Sequence, residues 1–174
     1  MINIDYSFVG NIVDMNWVDI QWAMRQGIID QKFAIEFAIS RISGDVYCDE
    51  EMSIAIQEYD SAPDVDHFVN ILSSKRRVDP GKSPERKWLF VILRKLYVES
   101  DRDGDVFSRV EDVYAEFNYP KAIEGFVPYM PPTDGYDPSI HSAEENRKRL
   151  LSQWASYLIE EGAALAPPSH EGSA

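Results

Sequence analysis

Residues 83–98 read SPERKWLFVILRKLYV, and this stretch decides the fold class. Ser83, Pro84 and Glu85 supply a helix N-cap, a first-turn proline and a carboxylate near the positive end of a helix. The run that follows is apolar on nearly all sides, which is typical of a helix in the middle of a bundle. A buried strand over Trp88–Leu93 is the competing interpretation, but the cap and the length of the pattern favour a helix.

Working outward from this stretch, apolar residues recur at intervals of three and four along most of the chain. Residues 128–138 hold four of the ten prolines and predict an irregular, aromatic-bearing loop before the last helix. The tyrosine, phenylalanine and proline residues over 110–132 predict packing at a core edge, with a groove for an extended peptide as the lesser alternative. We therefore predict an all-α fold, a single irregular bundle of about seven helices, with one domain over residues 1–162 and a disordered tail over 163–174. The predicted helices begin near Asn16, Asp30, Asp49, Pro63, Ser83, Asp105 and Ser142. The helix that begins near Asp49 is predicted to reach Tyr59, and Ser142 with Glu145 predicts a capping box before the last helix.

Composition narrows the classes of function. The chain has 174 residues, is 44% hydrophobic and carries a formal net charge of -13. This charge repels phosphate backbones and anionic lipid, so we expect neither nucleic acid nor membrane as a partner. Cys48 is the only cysteine, and the N-terminus lacks the basic start and apolar run of a signal peptide. We expect a cytoplasmic protein.

One segment stands out by charge. Between Ile42 and Ser74 the chain has eight carboxylates and no lysine or arginine. Two interpretations remain open: a face that binds a basic partner, or carboxylates that solvate helices and stabilise their first turns at about 0.3–1 kcal/mol each. The candidate partner-binding residues are Asp45, Asp49, Glu50, Glu51, Glu58, Asp60, Asp64 and Asp66.

The sequence contains no nucleophile elbow, phosphate-binding loop or dinucleotide fingerprint, and we expect no enzyme activity and no cofactor. Residues 101–105 begin like a calcium loop, but Val106 stands where the loop needs glycine and Asp112 where it needs a bidentate glutamate. The three histidines lack ligand spacing, so we expect no metal site. An enzyme built on carboxylates alone stays a minor alternative.

Six basic residues follow the acidic segment and suggest a second alternative. They could pair with that segment within one chain. Pairing between two copies would instead make the protein a self-associating structural or regulatory module. The residues of this basic patch are Lys75, Arg76, Arg77, Lys82, Arg86 and Lys87.

The second half of the chain resembles a family of small, uncharacterised bacterial proteins that is known as a domain of unknown function. The resemblance extends through Gly135-Tyr136 and Asn146-Arg147 to Trp154 and Tyr157-Leu158. It rests on the phrases Lys87-Trp88-Leu89, Val110-Glu111-Asp112-Val113-Tyr114-Ala115-Glu116-Phe117-Asn118-Tyr119-Pro120 and Phe126-Val127-Pro128-Tyr129-Met130-Pro131-Pro132. The phrase that ends in Tyr119-Pro120 and the phrase Tyr129-Met130-Pro131-Pro132 are distinctive.

The resemblance supplies no catalytic residues. Proteins like these are similar in size and charge to immunity proteins, which protect a bacterium from the toxins it secretes. Together with the acidic segment, the resemblance implies a non-enzymatic, antitoxin-like inhibitor of a basic effector. Tyr59 and Phe68 are the expected apolar anchors beside the carboxylates.

Overall fold

The protein was analysed as a computed structural model, which describes residues 4–10, 12–44, 47–58, 64–100 and 105–166. Within those ranges it has eight α-helices and no β-strand, which confirms the all-α fold. Short 3₁₀ turns cover Pro80–Lys82, Lys121–Phe126 and Pro138–Ile140. The α-helices are α1 (Tyr6–Val9), α2 (Trp17–Arg25), α3 (Gln31–Ile42), α4 (Asp49–Ala55), α5 (Val65–Ser74), α6 (Pro84–Glu99), α7 (Val106–Glu116) and α8 (Ala143–Leu165).

Local sequence signals placed most helices correctly. Residues 84–98 of the stretch quoted first lie in α6, so the interpretation of Trp88–Leu93 as a strand is wrong. The predicted capping box before α8 is also confirmed, since the Glu145 amide donates to Ser142 Oγ at 3.2 Å and the Ser142 amide donates to Glu145 Oε2 at 2.8 Å. No helix in the described ranges has the length and apolar content needed to cross a bilayer.

Two predicted boundaries are wrong. The helix predicted to reach Tyr59 ends at Ala55, because its apolar stripe loses its packing there and Ile56 is 72% exposed. The last helix runs past residue 162 to Leu165, whose side chain is 1% exposed and holds the helix end in place by burial. The predicted start at Pro63, and the predicted tail from residue 167 onward, lie outside the described residues.

The chain divides into two compact units, and the boundary falls inside α6. Unit 1 comprises the described residues among 1–88 and 165–174, and unit 2 those among 89–164. The single domain over 1–162 therefore stays a prediction.

In unit 1, α3 packs against α1, α4 and α5, and α2 packs against α5. Aromatic residues at helical spacing fill the space between them. The Trp17 ring meets the Phe37 ring edge-on with 4.8 Å between centroids, and Phe33 meets Trp88 at 5.6 Å. Such pairs contribute about 0.5–1.5 kcal/mol beyond the area they bury.

A buried ion pair links α2 to the start of α6. Lys87 Nζ lies 2.6 Å from Asp19 Oδ2 and donates to the Asp14 carbonyl at 2.8 Å, while both side chains are at most 5% exposed. Asp19 Oδ2 also accepts from the Asn16 amide at 2.8 Å, which caps α2. The assignment of Lys87 to the surface basic patch is therefore wrong, because its ammonium is buried against α2. Burial raises the pKa of the Asp19 carboxyl, and the Lys87 hydrogen bond opposes that rise.

Unit 2 is organised around one buried tryptophan of α8. Trp154 is 0% exposed and stacks on Phe126 with 5.6 Å between ring centroids and 5° between ring planes. The rings of Tyr97 and Phe107 approach Trp154 at 5.2 and 6.2 Å. Aromatic rings from α6, α7 and the 3₁₀ turn after α7 thus all pack against one residue of α8.

We predict that Lys87→Met lowers the free energy of unfolding by about 3–5 kcal/mol, because it leaves the Asp19 carboxylate buried without its cation. Urea unfolding followed by circular dichroism measures the change. The double variant Asp19→Asn/Lys87→Met recovers part of the loss, since no charge is then left buried. Lys148→Met, at a lysine whose side chain is 72% exposed, serves as the control and should change stability by less than about 0.5 kcal/mol.

Candidate partner-binding surface

The acidic segment contains α4 and nearly all of α5 in unit 1. One of its carboxylates, that of Glu51, is buried. Glu51 is 4% exposed. Its Oε1 accepts from Trp17 Nε1 at 2.7 Å and from Arg41 Nε at 3.2 Å, and its Oε2 accepts from the Cys48 amide at 3.1 Å. The inclusion of Glu51 among partner-binding residues is therefore wrong, because all its bonds are internal and it caps α4.

Hydrogen bonding keeps the buried Glu51 ionised. Burial alone would raise the pKa of this carboxyl, but the bonds from Trp17, the Cys48 amide and Arg41 outweigh burial and hold the pKa below its ordinary value of 4.5. The carboxylate thus acts as a fixed anion that joins α2 and α3 to the first turn of α4.

The neighbouring Glu50 is paired across helices. Its Oε1 lies 2.6 Å from Lys75 Nζ, so the N-terminal turn of α4 is joined to the C-terminal end of α5. The Lys75 hydrogen bond lowers the pKa of the Glu50 carboxyl to about 2. The alternative that the basic patch pairs with the acidic segment inside one chain is therefore confirmed at Lys75, the residue next to the segment.

The remaining carboxylates face solvent. Asp49, Glu58, Asp64 and Asp66 are all exposed. Asp66 accepts a hydrogen bond from Gln31 Nε2 at 2.9 Å, a contact with a neutral side chain. The predicted members Asp45 and Asp60 lie outside the described residues.

The exposed acidic residues do not gather at one point. Asp49 and Glu50 stand where α4 begins, beside Lys75, whereas Asp64 and Asp66 stand where α5 begins. From Asp66 to Lys75 the α5 axis rises by about 14 Å, at 1.5 Å per residue. The surface therefore consists of two acidic helix starts, those of α4 and α5, with Glu58 three residues beyond the end of α4. Such an arrangement exerts a negative field and can pair with separate cations, but it does not form a compact ligand site.

Metal and thiol chemistry have little support at this surface. In the part of the chain that the structure describes, no three side chains of His, Cys, Asp or Glu come together as a metal site. Burial raises the pKa of the Cys48 thiol; the backbone hydrogen bonds of Glu51 and Glu50 oppose this rise, and their carboxylates add to it. Carboxylates near a thiol disfavour the thiolate. Residues 101–104 of the calcium-like stretch lie outside the described ranges.

In unit 2, the proline-rich loop is fastened to α8. Tyr136 stacks on His141 with 4.5 Å between centroids, and its hydroxyl donates to Asn146 Oδ1 at 2.7 Å. The Arg149 guanidinium lies 4.4 Å from the centre of the Tyr136 ring and 2.8 Å from Asp134 Oδ2. These contacts hold the loop in one conformation against α8, whereas the proline content predicted only that the loop would be irregular.

A family model described as "Uncharacterized protein conserved in bacteria (DUF2247)" matches residues 6–162. The chain belongs to this family. The match confirms the resemblance seen in the second half of the sequence and extends it over the first. No curated protein and no solved structure matches the chain.

The phrases that carry the DUF2247 resemblance have structural explanations in this chain. Lys87 and Trp88 anchor α6 on α2, since Trp88 Nε1 donates to the Asp19 carbonyl at 2.9 Å. Trp154 centres the core of unit 2, and Tyr136 and Asn146 fasten the loop. These residues of the phrases therefore stabilise the fold.

Sequence reasoning missed one surface feature, a cluster of three tyrosines at the C-terminal end of α7 in unit 2. The density of tyrosine and proline there predicted core-edge packing, with a peptide groove as the lesser alternative. A signal was present in the last turn of α7, which has no basic residue where a helix end favours one.

We predict that Glu51→Gln lowers the free energy of unfolding at pH 7 by about 1–3 kcal/mol, because the buried bonds to Trp17 and Arg41 lose their anionic acceptor. Since the folded-state pKa is below 4.5, the contribution is present above pH 4.5 and is lost as the pH falls through the folded pKa. Chemical unfolding at several pH values measures this. The gap between wild type and variant should close towards acid pH, whereas a gap that widens there would contradict the assignment.

Proposed function

We propose that this DUF2247 protein is a non-enzymatic binding protein of the cytoplasm that inhibits a basic, toxin-like effector, in the manner of an immunity protein or antitoxin. The binding surface is the acidic set, which we define as Asp49, Glu50, Glu58, Asp64 and Asp66. Glu51 acts behind it as a structural anion.

The uncompensated charge of the acidic set is the main support. In the described part of the chain, Glu50 alone among the five has an ion-pair partner, Lys75. The other four are exposed, and among the described side chains only the neutral Gln31 is hydrogen-bonded to one of their carboxylates, that of Asp66. Ordinary surfaces mix charges of both signs, because like charges at neighbouring positions repel each other. A partner with lysine and arginine would remove that repulsion.

The separation of the two acidic helix starts favours a particular mode of action. Each helix start can meet its own cation, and the summed field extends beyond either helix start at low ionic strength. The field would speed the encounter and orient the partner, more than it would add affinity after docking. A toxin that acts on nucleic acid has a positive active site, and an acidic helix pair can occupy that site as a mimic of the phosphates.

Apolar side chains beside the acidic set can supply the desolvated part of the interface. Ile56, 72% exposed, follows α4, and Phe68 on α5 is half-buried with its ring 5.4 Å from that of His67. Buried apolar anchors usually dominate the affinity, with charges at the rim. Tyr59, the other expected anchor, lies outside the described residues.

We predict that the variant Asp49→Asn/Glu58→Gln/Asp64→Asn/Asp66→Asn loses the partner. Tagged wild type incubated with lysate and secreted fraction of the native host should retain a basic protein that elutes at moderate salt. The isolated partner should then associate with the variant at least about tenfold more slowly at low salt, as expected when a steering field is removed. Stopped-flow association at two salt concentrations measures this, together with inhibition of the partner's activity.

The matched control neutralises four exposed carboxylates elsewhere: Asp5→Asn, Glu85→Gln, Glu144→Gln and Glu160→Gln. It has the same net charge as the test variant and should associate like wild type. Equal rates and equal salt dependence for both variants would refute the acidic set as the binding surface. Recovery of the chain itself as the only retained protein would favour the self-associating module.

A further inference from the structure

Three tyrosines of unit 2 form an aromatic cluster at the C-terminal end of α7, which we call the tyrosine cluster: Tyr114, Tyr119 and Tyr129. Tyr114 is 3% exposed and forms its floor. The ring of Tyr119 meets it edge-on with 5.2 Å between centroids, and that of Tyr129 lies 6.2 Å away. Tyr119 and Tyr129 are 59% and 56% exposed, so large parts of both rings are open to solvent.

The backbone that presents Tyr119 is strained. α7 ends in a Schellman turn, in which the Asn118 amide donates to the Ala115 carbonyl at 3.1 Å and the Tyr119 amide to the Tyr114 carbonyl at 2.8 Å. That turn needs one left-handed residue, and Asn118, with φ of 59°, supplies it. Tyr119 is left-handed as well, with φ of 60°, which is costly for a bulky side chain. The contact between the Tyr119 and Tyr114 rings stabilises this conformation.

The charge around the tyrosine cluster is negative. The C-terminal end of a helix carries partial negative charge, and the last turn of α7 has no basic residue to balance it. Residues 110–130 hold four carboxylates and one cation, Lys121. One of these carboxylates, Glu124, accepts from the Tyr114 hydroxyl at 3.3 Å.

Tyr114 and Tyr129 remain neutral near pH 7. Burial raises the pKa of Tyr114, and the Glu124 carboxylate raises it further. Burial also raises the pKa of Tyr129, with added contributions from Tyr119 and Glu111. Glu111 lies three residues before Tyr114 on α7, and residues at this spacing are neighbours on one face of a helix. Neutral phenol rings with carboxylates nearby attract cations through the negative faces of the rings.

We propose that the tyrosine cluster, with Glu111 and Glu124, binds the guanidinium group of an arginine side chain on a protein or peptide. Arginine fits better than lysine because its planar, weakly hydrated head stacks on exposed rings and reaches carboxylates at the same time. The site goes beyond the proposed function, since it lies in unit 2 and uses none of the acidic set.

The test is a titration of the full chain with a peptide, and the NMR signals of the tyrosine rings report binding. The probe is a capped glycine–arginine–glycine peptide, and its matched control carries citrulline, which keeps the planar shape and lacks the charge. The arginine peptide should shift the Tyr119 and Tyr129 signals to saturation, with the citrulline peptide binding at least about fivefold more weakly. A lysine peptide that binds as tightly as the arginine peptide would overturn the assignment to guanidinium.

Variants separate ring stacking from general charge attraction. Tyr119→Leu and Tyr129→Leu should each weaken the arginine peptide by about threefold or more, whereas Tyr119→Phe should preserve binding because the ring face remains. Tyr47→Leu removes a tyrosine that is 50% exposed in unit 1 and should have no effect. Equal binding of arginine and citrulline peptides, or wild-type binding by both leucine variants, would overturn the proposal. Neither result bears on the acidic set, whose test uses different residues.

Discussion

The buried pair of Asp19 and Lys87 is the constraint on which the arrangement of unit 1 depends. The two residues are 68 positions apart in sequence, and their contact of 2.6 Å fixes how α6 begins against α2. A buried pair contributes little net stability compared with apolar side chains of similar size, but any other register would leave two charges buried and unpaired. The adjacent Trp88 adds a second, directional bond to the same turn of α2. Together they fix the first turns of α6, the part that belongs to unit 1, against α2.

The first turn of α2 also organises the acidic segment. Trp17, two residues before Asp19, donates to Glu51 at 2.7 Å, which draws the start of α4 inward. Arg41 and Lys75, the cations that flank the segment in sequence, each pair with a member of it. The absence of cations within the segment therefore did not mean their absence in space. The negative charge that has no cationic partner is therefore smaller than the sequence suggested, and it lies at separate places along α4, α5 and the residues between them.

Local chemistry made most of the fold predictable, and long-range pairing made the rest unpredictable. Caps such as Ser142 with Glu145, and the apolar run of α6, act within a few residues and can be identified in one sequence. Lys87 was predicted as a surface charge because lysine is rarely buried, and only the carboxylate at position 19 makes its burial tolerable. Likewise, Glu50 and Glu51 are adjacent residues of the same type, and the contact with Trp17 that distinguishes Glu51 exists only in the folded chain. The left-handed Tyr119 gave no signal either, since its conformation follows from packing on Tyr114.

The shielding of Lys87 has a practical consequence for handling the protein. Amine-reactive labels modify lysines in proportion to the exposure of their nitrogen atoms, and the side chains of Lys32, Lys75 and Lys148 are more than half exposed whereas that of Lys87 is 5% exposed. Brief labelling of the folded chain can therefore attach dyes or tags while sparing the one amine whose modification would break the core. Conversely, a label found on Lys87 by mass spectrometry marks a molecule that had opened, so this lysine is a built-in reporter of unfolding.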